Sequence, residues 1–123
     1  MTKKENAFQA LEKIFHEPSR LAIMSALCMA TDGLTFTELK AECELTDGNL
    51  NRHLKVLKES QVVRVKKAFV DDKPRTTVFI TAQGLGRFND YLEALADVMK
   101  QARKALPKDK VVKTVSNGKE ATA

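Results

Sequence analysis

The sequence contains no tryptophan, one tyrosine and only two cysteines. Cys28 and Cys43 lack any CxxC spacing and are too few for a disulfide framework. Such sparing use suits a reducing compartment, and a cytoplasmic location is the expectation. No apolar run approaches the roughly 18 residues that span a bilayer. The opening MTKKENAFQA has no apolar stretch of the kind a secretory leader carries. Neither a membrane protein nor a secreted one is expected. Glycine and proline are scarce, at five and three residues, and no GxSxG, HExxH, P-loop or dinucleotide fingerprint occurs. Gly84 and Gly86 lie at the start of a helix and not after a strand–phosphate turn, so they do not signal a phosphate loop. No nucleophile, base and orienting group can be assembled, so neither an enzyme nor a cofactor is expected.

What remains is a chain of 123 residues, 43% apolar and 30% charged, the balance of one globular domain that can bury its own core. Lysine and arginine outnumber aspartate and glutamate 21 to 16, for a net charge of +5. Between Gly48 and Arg75 there are eight basic residues and three acidic ones, so this window carries the whole excess. A localised basic block suits a polyanion such as nucleic acid.

Periodicity divides the chain into short elements. Phe8, Leu11, Ile14 and Phe15 predict a helix from about Glu5 to His16. Pro18 ends it and opens a second helix to about Met29, with Leu21, Met24, Leu27 and Cys28 as its apolar stripe and Ile23 on the flank. Thr31-Asp32-Gly33 is a turn signal. Thr35 and Glu38 form a capping-box pattern for a short helix to about Cys43 that buries Phe36 and Leu39. After a turn at Glu44 and Leu45, Thr46 caps a helix over 47–60, with Leu50, Leu54 and Leu57 on one face. The period then changes. Val63 to Lys66 alternates as a strand does, and Thr76 to Thr81 is rich in β-branched residues. Asp71 to Arg75 is read as the polar tip between them, the two aspartates shaping the turn. A long helix, about Ala82 to Ala105, repeats Leu85, Phe88, Leu92, Leu95 and Met99, widened by Tyr91, Ala94 and Val98. Residues 1–106 thus make a single domain. The polar, aperiodic stretch 107–123 predicts a disordered tail.

A helix, a short helix, a tight turn, another helix and a two-stranded hairpin form a helix-turn-helix with a β-wing, an α+β fold that is mainly α. The helix over 47–60 turns Asp47, Asn49, Asn51, Arg52, Lys55 and Lys58 away from its leucine face. Asparagine bonds adenine bidentately and arginine bonds guanine O6 and N7. Such groups near a helix N-terminus are what enters a major groove. Lys66, Lys67, Lys73 and Arg75 on the wing suit phosphates or an adjacent minor groove.

The ordered set EPSRLAIMSAL, LTFTELKAECELTDGNLNRHLKVL and DDKPRTTVFITAQG resembles compact winged helix-turn-helix transcriptional regulators of the MarR and ArsR type, over about Glu17 to Leu95. HLKVL is the segment that ArsR-like proteins carry in the recognition helix. The resemblance implies a homodimeric regulator of transcription that binds double-stranded DNA. Its recognition helix 47–60 would lie in the major groove and its wing 66–75 on the flanking backbone or minor groove. The implied DNA-binding residues are Thr46, Asp47, Asn49, Asn51, Arg52, His53, Lys55, Lys66, Lys67, Lys73 and Arg75. His53 has two readings, a phosphate contact or packing beside Leu54. N- and C-terminal helices would build the dimer through Phe8, Leu11, Phe15, Phe88, Leu92, Leu95 and Met99. Two recognition helices would then stand about 34 Å apart, one turn of DNA. A cleft between the wing and the dimer helices could take a small-molecule effector, though no ligand is named by these residues.

Two departures from the pattern matter. Metal-sensing ArsR-like proteins carry paired cysteines before the turn, whereas here AECEL holds only Cys43, so no metal site is expected. Cys28 and Cys43 are instead read as small core residues, and Met24, Met29 and Met99 as core or interface filler. Where the family pattern ends the recognition helix in glycine, this chain has Gln61, at a cost of roughly 1 kcal/mol for a left-handed residue. The competing reading is a winged-helix protein-interaction module that has lost DNA binding. A converted domain would carry an apolar or acidic recognition face, and here that face is basic and rich in amides.

Overall fold

The structure, a computed structural model, describes residues 11–107. Phe8, the first half of the expected N-terminal helix and residues 108–123 of the expected tail lie outside the described residues.

The element order is α1 (Pro18–Cys28), β1 (Leu34–Thr35), α2 (Phe36–Cys43), α3 (Asp47–Glu59), β2 (Val63–Val70), β3 (Lys73–Ile80) and α4 (Ala82–Ala105). The strands form one antiparallel sheet in the order β1-β3-β2. The expected hairpin therefore has a third strand: Leu34 pairs with Val78 and Thr35 with Thr77.

Each helix begins where a side chain caps it. Glu17 accepts from the Arg20 N–H at 2.7 Å ahead of Pro18, which needs no partner for a missing N–H. Thr35 and Glu38 form the reciprocal capping box, at 3.1 and 2.9 Å. Helix α2 ends on Glu44 in the left-handed region (φ 54°), where the Leu45 N–H reaches the Lys40 carbonyl at 3.0 Å. Only Glu44 and Leu45 then separate it from Thr46, the cap of α3.

Leu11 to His16 is a single turn and not the expected helix. The Phe15 and His16 N–H groups both reach the Glu12 carbonyl, at 3.1 and 3.0 Å. The end of the turn is fixed locally, as expected from Pro18: Glu17 is extended (φ −150°) before the proline, which has no N–H for the Ile14 carbonyl, and Arg20 takes that carbonyl instead at 2.7 Å. The turn drives Phe15 into the core, its ring 5.3 Å from Phe88 and 5.7 Å from Tyr91. Burying a side chain of this size contributes roughly 1.5–3 kcal/mol. Around this cluster, Glu12 pairs with Arg87 at 2.6 Å and His16 shares a hydrogen bond with the Tyr91 hydroxyl at 2.9 Å. The N-terminal turn is thus fastened to α4 of the same chain.

The remaining core joins Ile23, Met24 and Leu27 of α1, Leu39 of α2, the three leucines of α3 and Val62, Val63 and Val78. Ile23, expected on the flank, is fully buried, whereas Cys28, expected in the core, is exposed; Cys43 is half-buried. The hairpin turn is tighter than expected. Pairing continues to Val70–Lys73, which leaves only Asp71 and Asp72 in the turn, both at positive φ (54° and 64°). Aspartate tolerates this better than most residues, and a two-residue turn of this hand matches strand twist. Pro74 consequently lies inside β3. It is tolerated there because β1 does not extend that far and its missing N–H faces away from β2.

Two positions require glycine. Gly33 has φ 79° and sits against the Val78 carbonyl and the Phe79 ring. Gly84 lets the first turn of α4 press onto the Val62 carbonyl, where a Cβ would collide with backbone. Thr81 completes the seat: its hydroxyl donates to the Gln61 carbonyl and accepts from the Gly84 N–H, both at 2.8 Å. Gln61 itself takes φ 64°, the left-handed position that the sequence led us to expect.

Candidate nucleic-acid interface

Helix α3 presents two chemically distinct faces. Leu50, His53, Leu54 and Leu57 face the core. Asn49, Asn51, Arg52, Lys55 and Lys58 are exposed, as are Lys66, Lys67, Lys73 and Arg75 on the wing. Part of each set, Asn51, Lys55 and Lys58 of α3 and Lys67 of the wing, meets across an open groove of about 430 Å³. Asn51, Lys55 and Lys58 form one wall, Lys67 and Thr76 the other, and Phe36, Leu54 and Val65 the floor. Three ammonium groups converging on one groove repel each other unless a polyanion or salt neutralises them.

The N-terminal turn of α3 is already partly committed. Thr46 Oγ1 accepts from the Asn49 N–H at 3.2 Å, leaving its hydroxyl proton free to donate outward. Asp47 pairs with Lys40 at 2.8 Å, which clamps α2 to α3 and offsets an acid on this face. Asn49 Oδ1 accepts from Arg52 at 3.3 Å. These contacts hold Arg52 beside the amides while leaving most of its donors free.

His53 is the clear correction. It is 2% exposed, so it does not meet a phosphate. It faces α1, where Arg20 Nη1 lies 3.2 Å from Nδ1 and Glu17 Oε1 lies 3.9 Å from the same nitrogen. A guanidinium can only donate, so Nδ1 accepts and, in the neutral ring, Nε2 carries the proton. The 3.5 Å approach of Arg52 to Nε2 is then a crowding of cation and N–H, not a bond. Burial holds the His53 pKa below its ordinary value, and Arg52 and Arg20 push the same way against Glu17. Arg20 also donates to the Ile14 carbonyl at 2.7 Å, so one side chain ties the N-terminal turn, α1 and α3 together. Sequence reading missed Arg20 and Glu17 because nothing local links them to a histidine more than 30 residues further along the chain.

On the far side of the wing, Arg64 lies over the Phe79 ring at 4.3 Å and is occupied there by a cation–π contact. A helix-turn-helix thus puts amides, arginine and lysine on the exposed face of its second helix, beside a basic hairpin. The chain belongs to the winged helix DNA-binding domain family, whose model matches residues 19–99. This winged-helix chain is 35% identical to an uncharacterized protein of Methanocaldococcus jannaschii over 88 residues, 72% of this chain and 95% of that one. It is also similar to a solved transcriptional regulator homologue protein of Pyrococcus horikoshii. That match has 30% identity and a TM-score of 0.71, and covers 77% of this chain and 94% of the other. The Staphylococcus aureus regulator MepR, solved with DNA, shares the fold at 20% identity and a TM-score of 0.67, over 90% of this chain and 87% of that one. Such structural neighbours are regulators of the MarR type, the likeness that the sequence motifs carry.

The residues expected at a dimer interface separate into two groups. Phe15 and Phe88 are buried inside the winged-helix protomer, and Leu11 packs partly against the same core. Phe15 and Phe88 are therefore not free to face a second chain, whereas Leu11 keeps part of its surface exposed. Leu92 and Met99 are 41% and 49% exposed, with Leu95 half-buried between them. Among the described residues, no helix is long and apolar enough to cross a membrane.

Proposed function

We propose that this winged-helix protein is a sequence-specific regulator of transcription that binds double-stranded DNA as a homodimer. The observation that carries the reading is the exposed face of α3, where Asn49, Asn51 and Arg52 stand next to a lysine-walled groove shared with the wing. In this reading α3 enters the major groove, with Arg52 and the two asparagines at base edges. Lys66, Lys67, Lys73 and Arg75 take flanking phosphates or the neighbouring minor groove. The dimer is supported by a separate feature. Leu92, Leu95, Ala96 and Met99 line an exposed apolar groove of about 450 Å³ on α4. A surface of that kind marks a protein interface more often than a solvated one. Two-fold pairing there would present two copies of α3 to one palindromic site. No step of this scheme requires a small-molecule effector.

The test is a fluorescence-anisotropy titration against a randomised duplex pool at two salt concentrations, with the bound fraction sequenced. The expected result is a palindromic enriched site and an affinity that falls steeply with salt, with a slope of about −0.9 per neutralised phosphate. Tight binding without enrichment would leave an architectural DNA binder. An absence of binding at either salt would favour the protein-interaction module.

A further inference from the structure

Phe69 is 77% exposed near the tip of a wing, residues 66–75, that carries six charged residues and, besides Phe69, only Ala68, Val70 and Pro74 as apolar ones. Its cross-strand partner is Pro74, also exposed. A Phe–Pro pair can stabilise a hairpin, but a ring this open to water is not covered by its neighbour. Strand alternation fixes which way it faces. Val65, Lys67 and Thr76 point into the groove shared with α3. Phe69 and Pro74 continue that row one step further out, because Lys67 pairs with Thr76 and Phe69 with Pro74. The opposite face, with Arg64 over Phe79, is turned away. The apolar pair therefore lies on the wing face that lines the groove opposite α3, at its outer end.

Reach and charge agree with one occupant. Phe69 is four residues beyond Val65, about 13 Å along the strand. The minor groove adjoining an occupied major groove is about half a helical turn away, roughly 17 Å. Residues 66–75 carry four basic groups against two acidic ones, and both acids sit in the turn itself. Of the basic groups, Lys67 shares the face of Phe69 and Pro74, whereas Lys66, Lys73 and Arg75 stand on the other face of the ribbon, so a polyanion at the ring meets one ammonium in the same row and three basic groups on the reverse of the hairpin. Phenylalanine and proline are among the side chains that wedge between base steps from the minor groove.

On the basis of the regulator reading above, we infer that Phe69, backed by Pro74, inserts into the minor groove beside each half-site and partly unstacks one base step. The wing then contributes shape selectivity as well as charge. Flexible pyrimidine–purine steps, which unstack at the lowest cost, should be preferred at that position.

The test uses the full-length protein, its Phe69→Ala and Phe69→Trp variants, and a duplex carrying the site enriched by the wild type. 2-Aminopurine is placed at each flanking step in turn. Wild type should raise the fluorescence several-fold at one step per half-site. Phe69→Ala should abolish the rise and weaken binding about tenfold, with unchanged thermal stability, while Phe69→Trp should restore both. If wild type binds tightly yet leaves every flanking probe unchanged, and Phe69→Ala binds equally well, the wedge is overturned and the regulator reading stands. If wild type binds no duplex at either salt, the regulator reading fails and the wedge falls with it.

Discussion

Helix α3 turns Asn49, Asn51, Arg52, Lys55 and Lys58 outward, whereas helix α4 turns Leu85, Leu92 and Met99 outward. Both are amphipathic and both bury one face in the same core. Their free faces differ in the kind of neighbour they can accept. The α3 face offers donors and positive charge at no apolar cost, which suits a hydrated polyanion. The α4 face leaves apolar surface in water, and that cost is recovered only against another apolar surface. The contrast separates the surface proposed to read DNA from the one proposed to bring two readers together.

The strongest way to break the α4 side is at its seat. Gly84→Ala would drive a Cβ into the Val62 carbonyl, which cannot move without shifting the sheet. The expected loss is about 3 kcal/mol of stability, measured by denaturant unfolding. The next largest effect tests the free face alone. Leu92→Asp combined with Met99→Asp should weaken self-association roughly a hundredfold in sedimentation equilibrium while leaving the fold intact. Self-association as strong as wild type would place the dimer contact elsewhere.

Two smaller changes sharpen the α3 side. Gln61→Gly should stabilise the protein by about 1 kcal/mol, because Gln61 holds φ 64° with an exposed side chain. An unchanged or lower unfolding midpoint would mean that the side chain contributes more than its backbone strain costs. His53 governs the buried face. Its folded pKa lies below the ordinary value, so the unfolded chain binds more protons in acid. The stability held by neutral His53 should therefore be full above its ordinary pKa of about 6.5 and be lost as pH falls through that value and toward the folded one. Thermal unfolding of wild type and His53→Gln between pH 8 and 5 should show the acid loss in wild type beyond what the variant shows. Parallel curves would remove the role assigned to burial and to the two arginines.

Much of this arrangement was legible in the sequence because it is local. The Thr35–Glu38 box, the Thr46 cap and the span of α4 follow from residues three or four apart. The left-handed Gln61 was visible as a residue where the family pattern expects glycine. What escaped depends on distant partners. β1 is two residues long and exists only because β3 pairs with it, so no periodicity can announce it. The choice between Tyr91 and Leu92 as the inward residue of α4 is set by where Phe15 docks, and Phe15 arrives from a turn that the helical spacing disguised. His53 looked like its exposed neighbours because Arg20 and Glu17, which face it, sit on α1 and at its N-cap. In the candidate site, the amide and basic residues were legible, while the groove joining Lys55 to Lys67 required the sheet's position.

The central claim is that the exposed face of α3 reads base sequence, and Arg52 is its most specific element. The direct measurement is parallel selection of a randomised duplex pool with wild type and Arg52→Ala. Wild type should enrich a two-fold symmetric site with guanine at one symmetric pair of positions. The variant should lose preference at that pair alone, a change of about 1–3 kcal/mol in discrimination, and keep its salt-dependent affinity for the pool. The same enriched sequence from both proteins, or none from wild type, would contradict the account.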